Sequence, residues 1–169
     1  MQIEGRARLV GDDINTDYII ASTRKRETLD ERVLKNYLLE TVDPGFAASV
    51  QPGDLLVAGH NFGCGSAMEV AATVILAAAI PAVLAKSFSR TFFRNAINNG
   101  LVPVECDTSE ISELDRLAIT VRGSALDVRD LSSGRSLAGV TLPPMMTAIL
   151  GAGGIVEFVR RGGWSQTAR

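Results

Sequence analysis

From residue 54 to residue 105 the chain reads strand, helix, strand, helix, strand, and this alternation narrows the fold more than any other feature. The apolar run 54–58 leads into a glycine-bracketed turn, Phe62-Gly63-Cys64-Gly65-Ser66, and a helical pattern over 66–79 follows. Pro81 stops the apolar stretch before a short strand at 82–85. A further helix over 89–99 ends at Gly100, a residue suited to a C-terminal cap, and a strand at 101–105 closes the run of β/α units. Outside it, residues 3–10 alternate weakly as a half-buried strand, and Leu29, Val33, Leu34, Tyr37 and Leu38 have helical spacing over 28–37, before the Asp43-Pro44-Gly45 turn. Towards the C-terminus the pieces 118–121, 125–128 and 136–142 alternate like strands, and helices are expected at 144–150 and 154–160. Short β pieces on both sides of a β/α core predict an α/β fold: a mixed sheet or barrel flanked by helices, in a single domain over 1–169.

Composition excludes several partners. Hydrophobic residues at 46%, charged residues at 21% and a net charge of -2 describe an ordinary globular chain without the basic excess of a nucleic-acid binder. The longest apolar run is rich in Ala and interrupted by Pro81, so it reads as buried helix and strand rather than a membrane span. Met1-Gln2-Ile3-Glu4-Gly5 has neither the basic nor the apolar region of a signal peptide, which makes cytoplasm the default. Cys64 and Cys106 lie far apart without Cys-x-x-Cys spacing, so no disulfide framework and no self-contained zinc or iron–sulfur site is expected. Any metal must come from elsewhere.

The turn at 62–66 is where chemistry is expected. It delivers backbone N–H groups and the Ser66 hydroxyl to a helix start, where an anionic group binds well. Ser66-Ala67-Met68-Glu69 also fits a capping box, in which the serine merely caps the helix. Gly63 and Gly65 lack the third glycine of a dinucleotide fingerprint, and no Gly-Lys-Ser or Gly-Lys-Thr follows. The second candidate loop is Gly11 to Asp17, whose Asn15, Thr16 and Asp17 could simply bond their own backbone. His60, the only histidine, invites a general-base reading. Arg90 and Arg94, four residues apart, could face solvent or brace the turn.

Three blocks together are more specific. Gly11-Asp12-Asp13-Ile14-Asn15-Thr16-Asp17-Tyr18-Ile19-Ile20, Asn61-Phe62-Gly63-Cys64-Gly65-Ser66 and the segment from Ala85 to Leu101 resemble, in that order, the aconitase swivel domain. The likeness is to its free-standing form, a small subunit like that of isopropylmalate isomerase, and it extends over essentially the whole chain. It implies a swivel-domain β/β/α mixed-sheet barrel. It also implies a heteromeric hydro-lyase, in which a separate large subunit holds a [4Fe–4S] cluster on three cysteines and this chain closes over the substrate. The family removes and re-adds water on a hydroxy-dicarboxylate or tricarboxylate. Ser66 matches the family's catalytic serine, whose alkoxide takes the proton next to a carboxylate, with the Ala67 and Met68 amides placed to stabilise it. Asp17 matches the acidic residue of the Thr-Asp loop, and Thr16 and Gly65 accompany these as substrate-facing positions. The family does not use the position of His60 catalytically, and its cluster ligands lie in the other chain, so Cys64 is expected to be a small turn residue.

Two departures bear on the substrate. The family usually continues its turn as Gly-Ser-Ser-Arg-Glu-His, whereas this chain has Gly65-Ser66-Ala67-Met68-Glu69-Val70; Met68 stands where a carboxylate-clamping arginine is expected and cannot form charged, bidentate bonds. The loop that is partly apolar in isopropylmalate isomerases reads Ser22-Thr23-Arg24-Lys25-Arg26-Glu27-Thr28 here. A solvated charge run is the plain alternative, but a lost arginine and gained cations together point to compensation, with Arg24 or Arg26 gripping a substrate carboxylate. The resemblance thus implies a hydro-lyase small subunit, most like that of isopropylmalate isomerase in leucine biosynthesis. Homoaconitase-like or substituted-malate dehydratase activity are the near alternatives, and a non-catalytic regulatory swivel domain is the distant one.

Overall fold

Strand β1 (Gln2–Leu9) joins two halves of different character. In the computed structural model, which describes residues 1–163, seven strands form one mixed sheet curled into a half-barrel, in the order β4-β3-β2-β1-β5-β6-β7. On one side β1 pairs in parallel with β2 (Leu55–Val57), β2 with β3 (Ala82–Ala85), and β3 with β4 (Val102–Glu105). On the other it pairs antiparallel with β5 (Arg116–Arg122), followed by β6 (Ala125–Asp130) and β7 (Ser136–Ala138).

The two halves explain the two patterns in the sequence. Helices cover both faces of the parallel half, so its strands are continuous apolar runs: Leu56, Val83 and Ala85 point into one core, Leu55, Val57, Ala82 and Leu84 into the other. In the antiparallel half only one face is covered. Leu117, Ile119 and Val121 of β5 are buried while Arg116 and Arg122 are exposed, which is a period of two.

Four short helices precede β2: α1 (Thr16–Ile19), α2 (Ser22–Glu27), α3 (Glu31–Leu34) and α4 (Phe46–Ser49). Next come α5 (Val70–Ala77) between β2 and β3, α6 (Arg90–Asn99) between β3 and β4, and α7 (Pro144–Ala152) and α8 (Ile155–Arg160) after β7. Helix α6 has the expected ends: the Ser89 hydroxyl accepts from Phe92 N at 3.3 Å, and Gly100 sits left-handed at φ 86°.

Three expectations for the helices need correction. The helix expected at 66–79 starts at Val70, with residues 66–69 in a bend and turn. The helix expected over 28–37 is split, because Asp30 caps α3 by accepting from Arg32 N at 2.9 Å, and a 3-10 turn (Lys35–Tyr37) follows. Leu34 and Leu38 are buried, but Leu29 is 80% exposed, so the apolar stripe is not a single helix face. The stretch 22–28, taken as a loop, holds α2 instead.

Candidate functional site

The turn at 61–66 is held from both flanks. On one flank Gly63 N donates to Ile14 O and Thr16 N to Cys64 O, both at 2.8 Å. On the other, Phe62 N donates to Ser87 O and Ser89 N to Phe62 O, both at 2.9 Å, while Ser89 Oγ donates to Gly63 O at 2.6 Å. The segments at 11–20, 61–66 and 85–101 therefore meet in space as well as following one another in sequence. Asn61 takes the left-handed conformation at φ 58°, with its amide nitrogen bonded to Asp13 Oδ1 at 2.8 Å. Beneath the turn, Phe62 is fully buried edge-on to Phe92, ring centroids 5.0 Å apart, and Phe88 stacks on Phe92. This aromatic base was not singled out from the sequence, although all three residues lie in the matching blocks.

The free side of the turn carries its unpaired polar groups. Gly65, Ser66 and Ala67 are exposed. Among the described residues the backbone N–H groups of Gly65, Ser66, Ala67 and Met68 donate to nothing, and the Ser66 hydroxyl has no partner. The capping box is absent: the N-cap position of α5 is Glu69, with no side-chain cap, because the chain turns through Gly65 and becomes helical only at Val70. Ser66 is thus an uncommitted hydroxyl beside unpaired donors, an arrangement suited to binding an anion or stabilising an oxyanion.

The other residues named from the sequence divide into several roles. Thr16 is 1% exposed and donates its hydroxyl to Ser66 O at 3.0 Å, so it positions the turn from beneath rather than facing a substrate. Asp17 is half-buried; its backbone N–H bonds the Asn15 side chain, and its carboxylate accepts from Ser22 Oγ at the start of α2. Met68 is not a substrate-facing side chain. It is 8% exposed and packs in the core with α5, because a thioether gains from burial and has no charge to keep in water.

Arg24 does not grip a substrate in this arrangement. Its Nε and Nη2 engage both oxygens of Glu40, at 2.8 and 3.0 Å, Nη1 reaches Glu27 at 3.4 Å, and the guanidinium lies 3.9 Å from the centroid of Tyr37. The Glu40 bonds, opposed by burial and aided by Glu27, raise it further above the usual arginine range. Arg26 is exposed and has no ion pair among the described residues. Lys25, passed over in the sequence, rests its ammonium against Met68 Sδ.

His60 and the two arginines of α6 stay outside this constellation. His60 is exposed and anchored only through its backbone N–H, which donates to Asp12 Oδ1 at 2.6 Å; Arg90 and Arg94 are exposed. Among the described residues no three His, Cys, Asp or Glu side chains converge as metal ligands. Cys106 is buried, and burial, with Asp107 nearby, pushes its thiol up to about 11, far from the thiolate a metal takes. Cys64 is half-buried, its Sγ 3.6 Å from Asp13 O.

Comparison with known proteins accounts for nearly all of the chain. The aconitase C-terminal domain profile matches residues 13–109. The chain is 44% identical over 161 residues to 3-isopropylmalate dehydratase small subunit 1 of Methanopyrus kandleri, covering 95% of this chain and 94% of that one. It is 38% identical over 161 residues to the methanogen homoaconitase small subunit of Methanocaldococcus jannaschii, covering 95% and 93%. The crystal structure of 3-isopropylmalate dehydratase from M. jannaschii superposes with a TM-score of 0.91 at 38% identity, over 99% of both chains.

Proposed function

Because the chain belongs to the aconitase C-terminal domain family, we propose that it is the small subunit of a hydro-lyase of the 3-isopropylmalate dehydratase type, acting with a large subunit in leucine biosynthesis. The reaction removes water from a hydroxy-dicarboxylate and adds it back at the neighbouring carbon. The second reading, a homoaconitase-like subunit acting on a longer tricarboxylate, is favoured by the 38% identity to such a subunit and by the cations of α2. In either reading the chain works in the cytoplasm, without nucleic acid or membrane; no helix among the described residues is long and apolar enough to cross a bilayer.

The observation that carries this reading is the Ser66 hydroxyl, unpartnered beside the free amides of a turn clamped on both flanks. Ser66 is the base. Its alkoxide takes the proton from the carbon next to a substrate carboxylate, and returns it in the reverse direction. A serine alkoxide is a strong base, and the Ala67 and Met68 N–H groups, free of other acceptors, stabilise it. Gly65 lets a substrate approach the backbone, Thr16 holds Ser66 in place, and Asp17 orders the loop and α2 around it. Arg26 is the outer cation, free to meet a carboxylate as the subunits close. The donor set of this chain does not fit a [4Fe–4S] cluster, with one cysteine buried and protonated and the other in the turn. The cluster that the resemblance implies would be held by the large subunit and would there supply a Lewis acid for the substrate hydroxyl.

The test is to co-purify the chain with a large subunit bearing cluster-type cysteines, reconstitute it anaerobically, and assay a panel of hydroxy acids. Ser66→Ala is expected to lower kcat about 10³-fold while the complex and its cluster absorbance persist. Turnover of Ser66→Ala at the parental rate would overturn the assignment, and a stable complex inactive on every acid would favour a regulatory swivel domain.

A further inference from the structure

We infer that Lys25 is the cation that takes a substrate carboxylate at this site. The inference rests on the hydro-lyase reading and deepens it. Three adjacent cations on α2 have three different fates. Arg24 has every guanidinium nitrogen engaged by Glu40 or Glu27. Arg26 faces solvent. Lys25 is half-buried and turned towards the catalytic turn, with its ammonium on Met68 Sδ and no carboxylate paired with it among the described residues.

That placement is unfavourable without an anion. An ammonium is strongly hydrated and carries three donors, and a thioether is a weak acceptor that satisfies at most one of them. The turn that carries Met68 holds further unpaired donors, the N–H groups of Gly65 to Met68. The ammonium and the four amide N–H groups, linked through Met68, thus have only one thioether among them as acceptor. A carboxylate supplies two oxygens and one negative charge, which is what this group of donors lacks.

The position suits the chemistry. Met68 follows Ser66 by two residues, so their Cα atoms are at most about 7 Å apart, and the residue that Lys25 touches belongs to the same turn as the hydroxyl. When Ser66 removes a proton next to a carboxylate, the C–H electron pair moves into that carboxylate and its negative charge grows. A cation bound there is worth more in the transition state than in the ground state. Helix α2 is fixed for this task at its first and third residues: the Ser22 hydroxyl bonds Asp17, and Arg24 is forked on Glu40. Met68 then serves as an apolar shelf that steers the lysine head towards the turn.

The test compares Lys25→Gln, Lys25→Arg and, as a control for loss of one surface charge, Lys35→Ala in the assembled, cluster-loaded complex. Lys25→Gln is expected to weaken binding of succinate, measured by calorimetry, and to raise KM for the hydroxy acid turned over, each about 10- to 100-fold. Lys25→Arg should stay within a few-fold of the parental protein, and Lys35→Ala should match it. Parental succinate affinity and KM in Lys25→Gln would overturn the inference. If Ser66→Ala has lost turnover while Lys25→Gln is unaffected, the Lys25 assignment alone fails. If no acid is turned over, the hydro-lyase reading fails, and succinate binding by Lys25→Gln still decides whether Lys25 holds a carboxylate.

Discussion

Gly65 shows how one residue couples two elements of the site. Its φ is +90°, and a Cβ built there would lie 2.7 Å from Asn15 Oδ1, the oxygen that caps α1 by accepting from Asp17 N at 2.8 Å. Any side chain at 65 therefore strains the turn and dislodges the cap that holds Asp17. Gly65→Ala is expected to cost about 1–2 kcal/mol of stability, read from the urea midpoint. It should also lower kcat of the assembled enzyme more than tenfold, because Ser66 shifts with the turn; an unchanged kcat would show that Ser66 does not depend on this crossing. The importance of Gly65 was legible in the sequence, but the partner that makes it irreplaceable was not. Asn15 is fifty residues away, and only folding brings its side chain against the turn. The same distance hid Lys25, forty-three residues from Met68, and left Arg24 looking as available as Arg26, since nothing local announces that Glu40 folds back onto it.

Among the elements, the turn joining β6 to β7 depends on one carboxylate. Asp130 is 2% exposed; Oδ1 accepts from Ser132 N at 2.9 Å and Ser133 N at 3.2 Å, and Oδ2 from the Ser133 hydroxyl. Burial raises its pKa, but the Ser133 and Ser132 bonds outweigh that and hold it below the usual 3.8. The folded value is depressed, so the stabilisation is present above pH 3.8 and lost as the pH falls through the folded value. Asp130→Asn should lose about 1 kcal/mol at pH 7, and the gap between variant and parent in urea midpoint should close in acid; a gap independent of pH would refute the role. Element types were legible where periodicity was strong, as in β5 and α6. Boundaries failed where caps compete: Thr28 marks the end of α2 and Asp30 starts α3, with Leu29 exposed between them, and the helical stripe expected over 28–37 becomes the four-residue α3 and a 3-10 turn.

Across the whole molecule, β1 ties the parallel and antiparallel halves together, and a charge network centred on the buried Arg8 and Asp54 reinforces the join. Arg8, 8% exposed, meets Glu113 at 2.7 Å, Ser49 at 2.8 Å and Asp54 at 3.5 Å; Arg6 adds a second bond to Asp54 at 2.9 Å. We propose that residues 1–169 unfold as one cooperative unit, with a single calorimetric transition. Arg8→Ala strips partners from Asp54 and Glu113 and should lower stability by about 3 kcal/mol without splitting that transition. Two resolved transitions would show that the halves are separate domains.

By itself the sequence determined the class of sheet and the three blocks that meet at the turn, and its family resemblance singled out Ser66 as the proposed reactive group, because periodicity, glycine spacing and motif order are local properties of the chain. Only the tertiary structure decided what each side chain is free to do. It released Ser66 from capping, placed Thr16 beneath the turn, buried Met68 and committed Arg24 to Glu40 while leaving Lys25 without an anion. Hydrogen-bond and charge partners are set by contacts between residues distant in sequence, and a side chain's chemistry is what those contacts leave unspent.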